Sequence, residues 1–179
     1  HPVAHSFPTR RSSDLKRMYK LAGEKMKIKL ALSLHGTTDA QRELIMSGAS
    51  ASGKLSELLE AMEHYYRASK IPLTYEYILF DGVNDSTKDA ERLSKISRRA
   101  PSSVNIIPYN DISHTDVFRQ STIKLKPSPP EKTEDFINIL RRRGAAVNVR
   151  KSFGKDIEAA CGQLALSEQG CFIQKEVTI

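Results

Sequence analysis

Leu73-Thr74-Tyr75-Glu76-Tyr77-Ile78-Leu79-Phe80 decides the architecture. Aromatic and branched side chains crowd this run, which suits a pleated, buried strand. It stops at Asp81-Gly82-Val83-Asn84-Asp85, a string of turn formers. Upstream, from Lys54 to Ser69, the apolar positions Leu55, Leu58, Leu59, Met62 and Tyr66 recur at i, i+3, i+4 and i+7. That period predicts a helix with one buried stripe. Downstream, the hydroxyl of Ser86 is placed to accept from the backbone N–H of Asp89, capping a helix whose inner face carries Ala90, Leu93 and Ile96. A strand flanked by two helices is the repeating unit of a parallel sheet.

The same alternation extends outward. Leu21 to Met26 reads as the end of a helix, Ile28 to Leu34 as a strand, and Val104 to Ile107 as another. Tyr109 to Pro127 is polar and aperiodic, long enough to be a functional loop. Ser128 as N-cap, Pro129 at the first helical position and Glu131 three residues after the cap predict a capping box; Phe136, Ile137 and Leu140 face inward and Gly144 ends the helix. Ala145 to Val149 is a fourth strand. The order predicts an α/β fold with parallel strands and right-handed crossovers. Four strands do not close a barrel, so the chain is expected to be part of a βα barrel or of an open sheet. In such folds the site lies at the carboxyl ends of the strands. Those ends carry Ser33 and His35, Asp81 and Asn84, Tyr109 and Asn110, and Arg150 and Lys151.

Composition narrows the function. Hydrophobic residues make up 39% and charged residues 27% of the 179, with no apolar run of membrane-spanning length. The formal charge of +7 suits a polyanionic partner such as RNA. Two cysteines are too few for a disulfide framework or a self-contained zinc site. Cys161, in Asp156-Ile157-Glu158-Ala159-Ala160-Cys161-Gly162-Gln163-Leu164, reads as a thiol used for chemistry, and Cys171 as a bystander in a polar tail. No metal ligand is assigned. His5 to Leu15 reproduces one reading frame of a common short-read sequencing adapter, so residues 1–15 are expected not to be native. Without them the formal charge is +6.

Several of these strings together resemble one family. Leu30-Ala31-Leu32-Ser33-Leu34-His35, Tyr75-Glu76-Tyr77-Ile78-Leu79 with Asp81 to Asp85, Asn105-Ile106-Ile107-Pro108-Tyr109-Asn110 and Asp156 to Leu164 are similar, in order and spacing, to the radical S-adenosylmethionine adenine-C2 RNA methyltransferases, the RlmN family. The resemblance implies the later half of a partial (βα)6 radical-SAM barrel over residues 16–166, with a polar C-terminal tail at 167–179. Two departures stand out: Phe153 replaces a usual Arg, and Ser47-Gly48-Ala49 replaces a usual Pro-Ile-Asn.

The chemistry implied uses S-adenosylmethionine twice. Cys161 takes a methyl group by displacement; a second molecule, cleaved reductively at a [4Fe-4S] cluster, yields a radical that activates the S-methyl group for addition to C2 of adenine. That carbon is electron-poor and cannot attack a sulfonium, whereas a thiol is strongly nucleophilic. By the same resemblance Cys161 is the catalytic residue, and Ser33, Leu34, His35 and Asn110 contact the cofactor. Arg150, Lys151 and Lys155 suit an RNA backbone. The implied substrates are 23S rRNA and tRNA, the electron donor a flavodoxin or ferredoxin, and the compartment the cytoplasm.

The family's cluster motif CxxxCxxC and its resolving cysteine lie upstream of the matched region. The chain alone is therefore expected to assemble no cluster and to be inactive. The rivals are a C8-methylating relative of the antibiotic-resistance type, a non-catalytic RNA-binding remnant, and a barrel enzyme of unrelated chemistry.

Overall fold

A computed structural model of the protein describes residues 12–24, 28–109 and 125–150. Cys161, Asn110, Lys151, Phe153, Lys155, Cys171, the tail 167–179 and most of the Tyr109–Pro127 loop lie outside the described residues. The elements run α1 (Ser12–Gly23), β1 (Ala31–Ser33), α2 (Asp39–Ile45), a 3-10 turn (Ala49–Ser52), α3 (Leu55–Ser69), β2 (Leu73–Ile78), α4 (Thr87–Ser97), β3 (Ser102–Ile107), α5 (Pro130–Arg142) and β4 (Ala146–Val149). The four strands form one sheet in the order β1-β2-β3-β4, every pair parallel. This is the α/β architecture that the alternation predicts.

Burial alternates along β2. Leu73, Tyr75 and Tyr77 are buried, while Thr74, Glu76 and Ile78 are only partly so. The buried set joins Leu32, Val104 and Ile106 with Leu58, Met62 and Tyr65 of α3, Leu93 of α4 and Phe136 and Leu140 of α5 in one apolar core. Tyr77 and Phe136 stack with ring centroids 5.6 Å apart. The helices thus cover one face of the sheet, and its other face carries Ser33, Glu76, Asn105 and Asn148 beside Ile78 and Ile107.

Three local expectations change. First, α1 begins at Ser12 and ends at Gly23, with the N–H of Glu24 bonding back to Lys20 and Leu21. Its Met18 is buried in the core. Second, α2 has no counterpart in the sequence reading. It is seven residues long and largely polar, and the Thr38 hydroxyl caps it by accepting from the N–H of Gln41. Third, α5 is capped by Pro129 without a side-chain bond, because the Ser128 hydroxyl donates instead to Asp85 Oδ2 at 2.7 Å. A tertiary partner outcompetes the local cap. Gly144, at φ 82, does end the helix, and Ser86 caps α4 by accepting from Asp89 as predicted.

The polar loop–helix junction that carries the strand ends is tied down by one buried carboxylate. Asp89 accepts from Thr37 Oγ1 (2.9 Å), Gln41 Nε2 (2.7 Å), Ser86 Oγ (2.5 Å) and Arg92 Nη2 (2.5 Å). Burial opposes ionisation of Asp89, but these hydrogen bonds outweigh it and hold its carboxyl below the usual range. The segment between β1 and α2 is thereby fastened to α4.

Candidate functional site

Ser33, Leu34 and His35 form the carboxyl end of β1, where the parallel ladder runs out. Their three roles differ. Ser33 pairs in register with Glu76, on the face that the helices leave uncovered. Leu34 is fully buried in the core, and its backbone N–H donates to the carbonyl of Glu76 at 3.0 Å. His35 turns the chain out of the strand through a positive φ of 48, a conformation in which non-glycine residues are uncommon.

The His35 ring is fixed by the backbone of the next strand. Its Nδ1 accepts from the N–H of Ile78 at 3.2 Å. An acceptor nitrogen carries no proton, so the neutral ring holds its proton on Nε2 and presents a donor there. Burial, aided by the nearby Arg42 charge, pushes the His35 pKa down to about 4. At neutral pH this is an uncharged N–H donor suited to a carboxylate, hydroxyl or ring-nitrogen acceptor.

Sequence reasoning missed Arg42 and the structural role of Asn84, which together build this end. Arg42 is 5% exposed, and its Nη1 donates to the carbonyls of Ser33 (3.0 Å) and Leu34 (2.7 Å). Its signal was hidden in a polar helix with no apolar period. Asn84 was read as a turn former at a strand end, where polar residues were expected to meet a ligand. It is instead fully buried: its Nδ2 donates to the carbonyls of His35 and Ile78, both at 2.7 Å, and its Oδ1 accepts from the N–H of Phe80 at 2.7 Å. Asp81 is engaged elsewhere, in an exposed ion pair with Lys132 at 2.7 Å.

The uncovered face of the sheet carries a polar row. Ser33, Glu76, Asn105 and Asn148 are successive register partners across all four strands. Asn148 Nδ2 donates to Asn105 Oδ1 (3.1 Å), and Asn105 Nδ2 donates to Glu76 Oε1 (3.0 Å). Arg150 Nη2 stands 3.9 Å from the same oxygen. Glu76 Oε2 is buried without a hydrogen-bond partner among the described residues. One step toward the strand ends, Ile78 and Ile107 pair in register.

This donor set fits an adenosyl amino acid. His35 offers N–H, Ser33 offers a hydroxyl, and the orphaned Glu76 oxygen marks a row with one acceptor unspent. It does not fit a metal cluster: among the described residues no three His, Cys, Asp or Glu side chains converge to hold a metal ion. No described helix is long and apolar enough to cross a membrane. Cys161 and Asn110 fall outside the described residues, so their distances to His35 are not part of this geometry.

No family model matches the chain. A probable dual-specificity RNA methyltransferase RlmN from Cytophaga hutchinsonii is 42% identical over 153 residues, spanning 86% of this chain and 40% of that protein. The dual-specificity RNA methyltransferase RlmN of an Anaeromyxobacter species is 39% identical over 162 residues, 90% of this chain and 41% of that protein. The chain thus spans about two fifths of the length of the curated relatives it matches. Among solved structures, a radical SAM methyltransferase from Sphaerobacter thermophilus superposes with a TM-score of 0.71 at 35% identity, over 83% of this chain and 41% of that one. A domain of a pyruvate-formate lyase-activating enzyme from Bacteroides vulgatus matches at a TM-score of 0.55 and 15% identity, over 79% of this chain and 75% of that one, a likeness of fold alone.

Proposed function

We infer that this chain, a homologue of the RlmN methyltransferases over the part matched, belongs to a radical S-adenosylmethionine enzyme that methylates C2 of adenine in 23S rRNA and tRNA. The observation that carries the reading is the 42% identity over 86% of the chain to a protein named as a dual-specificity RNA methyltransferase. The strand-end geometry supports it, because His35, Ser33 and the Glu76 row form a donor–acceptor set at the place where parallel α/β folds bind ligands. Residues 1–15 as non-native, 16–166 as the barrel portion and 167–179 as the tail remain part of the same proposal, as do a cytoplasmic setting and a flavodoxin or ferredoxin as reductant.

S-adenosylmethionine would supply the carbon. Ser33 and His35 would hold it at the β1 end, with Leu34 bracing the strand behind them and Asn110 adding an amide from the β3 end. The Cys161 sulfur, as thiolate, would take the methyl group while the sulfonium leaves as a thioether, and its proton passes to solvent. Gly162, with no Cβ, would let a bulky group come close to the backbone beside that cysteine. Arg150, beside Glu76 at the β4 end, would face the RNA together with Lys151 and Lys155. We place the [4Fe-4S] cluster ligands in the part of the relatives' length that this chain does not span.

The test is complementation of a strain lacking adenine-C2 methylation with the complete gene, read by mass spectrometry of digested RNA. Recovery of 2-methyladenosine, and its loss in Cys161→Ser, is the expected result. A product methylated at C8 would make the enzyme the resistance-type relative; no methylated adenine at all would favour the RNA-binding remnant.

A further inference from the structure

The ladder between β1 and β2 contains one substitution that Arg42 explains. Thr74 donates to the carbonyl of Leu30 at 3.0 Å. Parallel pairing advances by two residues on each strand, so the N–H of Ile78 is due to meet the carbonyl of Leu34. It does not. That carbonyl accepts from Arg42 Nη1 at 2.7 Å and from the N–H of Gly36 at 2.6 Å, and Ile78 donates to the His35 ring instead.

A carbonyl oxygen has two lone pairs, and here both have takers. Arg42 also holds the neighbouring Ser33 carbonyl at 3.0 Å, so the guanidinium grips two consecutive peptide groups from a nearly sealed position. Gly36 seals the arrangement sterically: a Cβ there would stand 2.9 Å from the Arg42 backbone nitrogen and 2.9 Å from the Gln41 Cβ. With Leu34 diverted, the partly buried Ile78 N–H would be left without a protein partner unless another acceptor replaced it, and backbone donors shielded from water are rarely left unpaired. The His35 ring fills that vacancy, and filling it commits Nδ1 as acceptor.

We propose that Arg42 is a positioning residue that sets the tautomer of His35: by taking the Leu34 carbonyl out of the sheet ladder, it obliges His35 Nδ1 to serve as the acceptor for Ile78 and leaves Nε2–H as the ligand-facing donor. The function given to that donor rests on the methyltransferase reading above; the tautomer itself does not. Asn84 completes the lock by donating to the His35 carbonyl at 2.7 Å. The charged group that bears on the ring is Arg42 from α2, while the His35 backbone N–H donates to the carbonyl of Glu76 at 3.3 Å.

The experiment is two-bond 1H–15N correlation spectroscopy on the histidine-labelled chain, with His35 assigned by the signals lost in His35→Gln. The chain at neutral pH is expected to show an unprotonated Nδ1 and a protonated Nε2 at His35. In Arg42→Met the Leu34 carbonyl is free to return to Ile78, so the 15N shifts should move toward the averaged values of exchanging tautomers; Arg42→Lys, which keeps a cationic donor but loses the rigid planar fork, should fall between. In the complete enzyme, Arg42→Met should raise KM for S-adenosylmethionine about tenfold with a smaller change in kcat, the mark of lost binding. Protonated Nδ1 in the unmodified chain overturns the proposal, with no variant needed. An unchanged tautomer in Arg42→Met or Arg42→Lys, accompanied only by lower stability, overturns it as well and reduces Arg42 to a structural arginine. Failure of RNA methylation in the complete enzyme, with the tautomer shift intact, would count against the functional reading alone.

Discussion

Asn84 Nδ2 donates to the carbonyl of His35 at 2.7 Å, joining residues 49 positions apart. The same amide nitrogen binds the carbonyl of Ile78 at 2.7 Å, and Tyr77 Oη donates to the Asn84 carbonyl at 2.9 Å. One side chain therefore sutures the ends of β1 and β2 and holds the left-handed turn at His35.

Asn84→Ala would leave two carbonyls and the N–H of Phe80 without their partner in a sealed environment. The expected loss is about 3 kcal/mol, seen as a lower urea midpoint with unchanged slope. A loss under about 1 kcal/mol would mean that water replaces the amide.

His35 couples stability to pH. Its folded pKa lies at about 4 against an ordinary 6.5, so between those values the unfolded chain binds the extra proton. Stability from this group is complete above the unfolded value and is lost as pH falls through the window toward the folded one. Going from about pH 7 to about pH 5 should cost roughly 2 kcal/mol through His35 alone. Urea titrations of the chain and of His35→Gln at both pH values measure it as the difference in pH dependence. Equal dependence in the two proteins would refute it.

Asp89 fastens the β1–α2 segment through Thr37 and Gln41. Asp89→Ala strands several donors and should destabilise by about 3 kcal/mol. It should also raise hydrogen exchange at residues 36–46 before the rest of the sheet opens. Uniform exchange across the sheet would show that the segment is held by other contacts.

Iron loading tests the division of labour between this chain and the remainder of its relatives' length. After anaerobic reconstitution with iron and sulfide, the chain is expected to retain no stoichiometric cluster, measured by iron content and visible absorbance. Four irons per chain would place the ligands within these 179 residues.

The alternation of strand and helix was legible because burial imposes a period, and a period needs no partner to be read. Leu55, Leu58, Leu59 and Met62 announce α3, and the β2 run announces itself by its branched and aromatic content. The helix α2 was silent for the converse reason: seven residues with one buried side chain, an arginine, carry no apolar stripe. Ser128 shows the same limit at a cap, where a distant carboxylate redirected a hydroxyl that local sequence assigned to the helix.

The sequence by itself determined the parallel α/β order and the strand-end position of Ser33 and His35, and carried the likeness to the RlmN relatives, since each rests on the order and spacing of residues. Only the tertiary structure decided what those residues can offer a ligand. A histidine's tautomer, a buried asparagine's three bonds and an arginine's claim on a strand carbonyl depend on which groups are brought within about 3 Å and cut off from water, and the ordering of residues along a chain does not contain that distance.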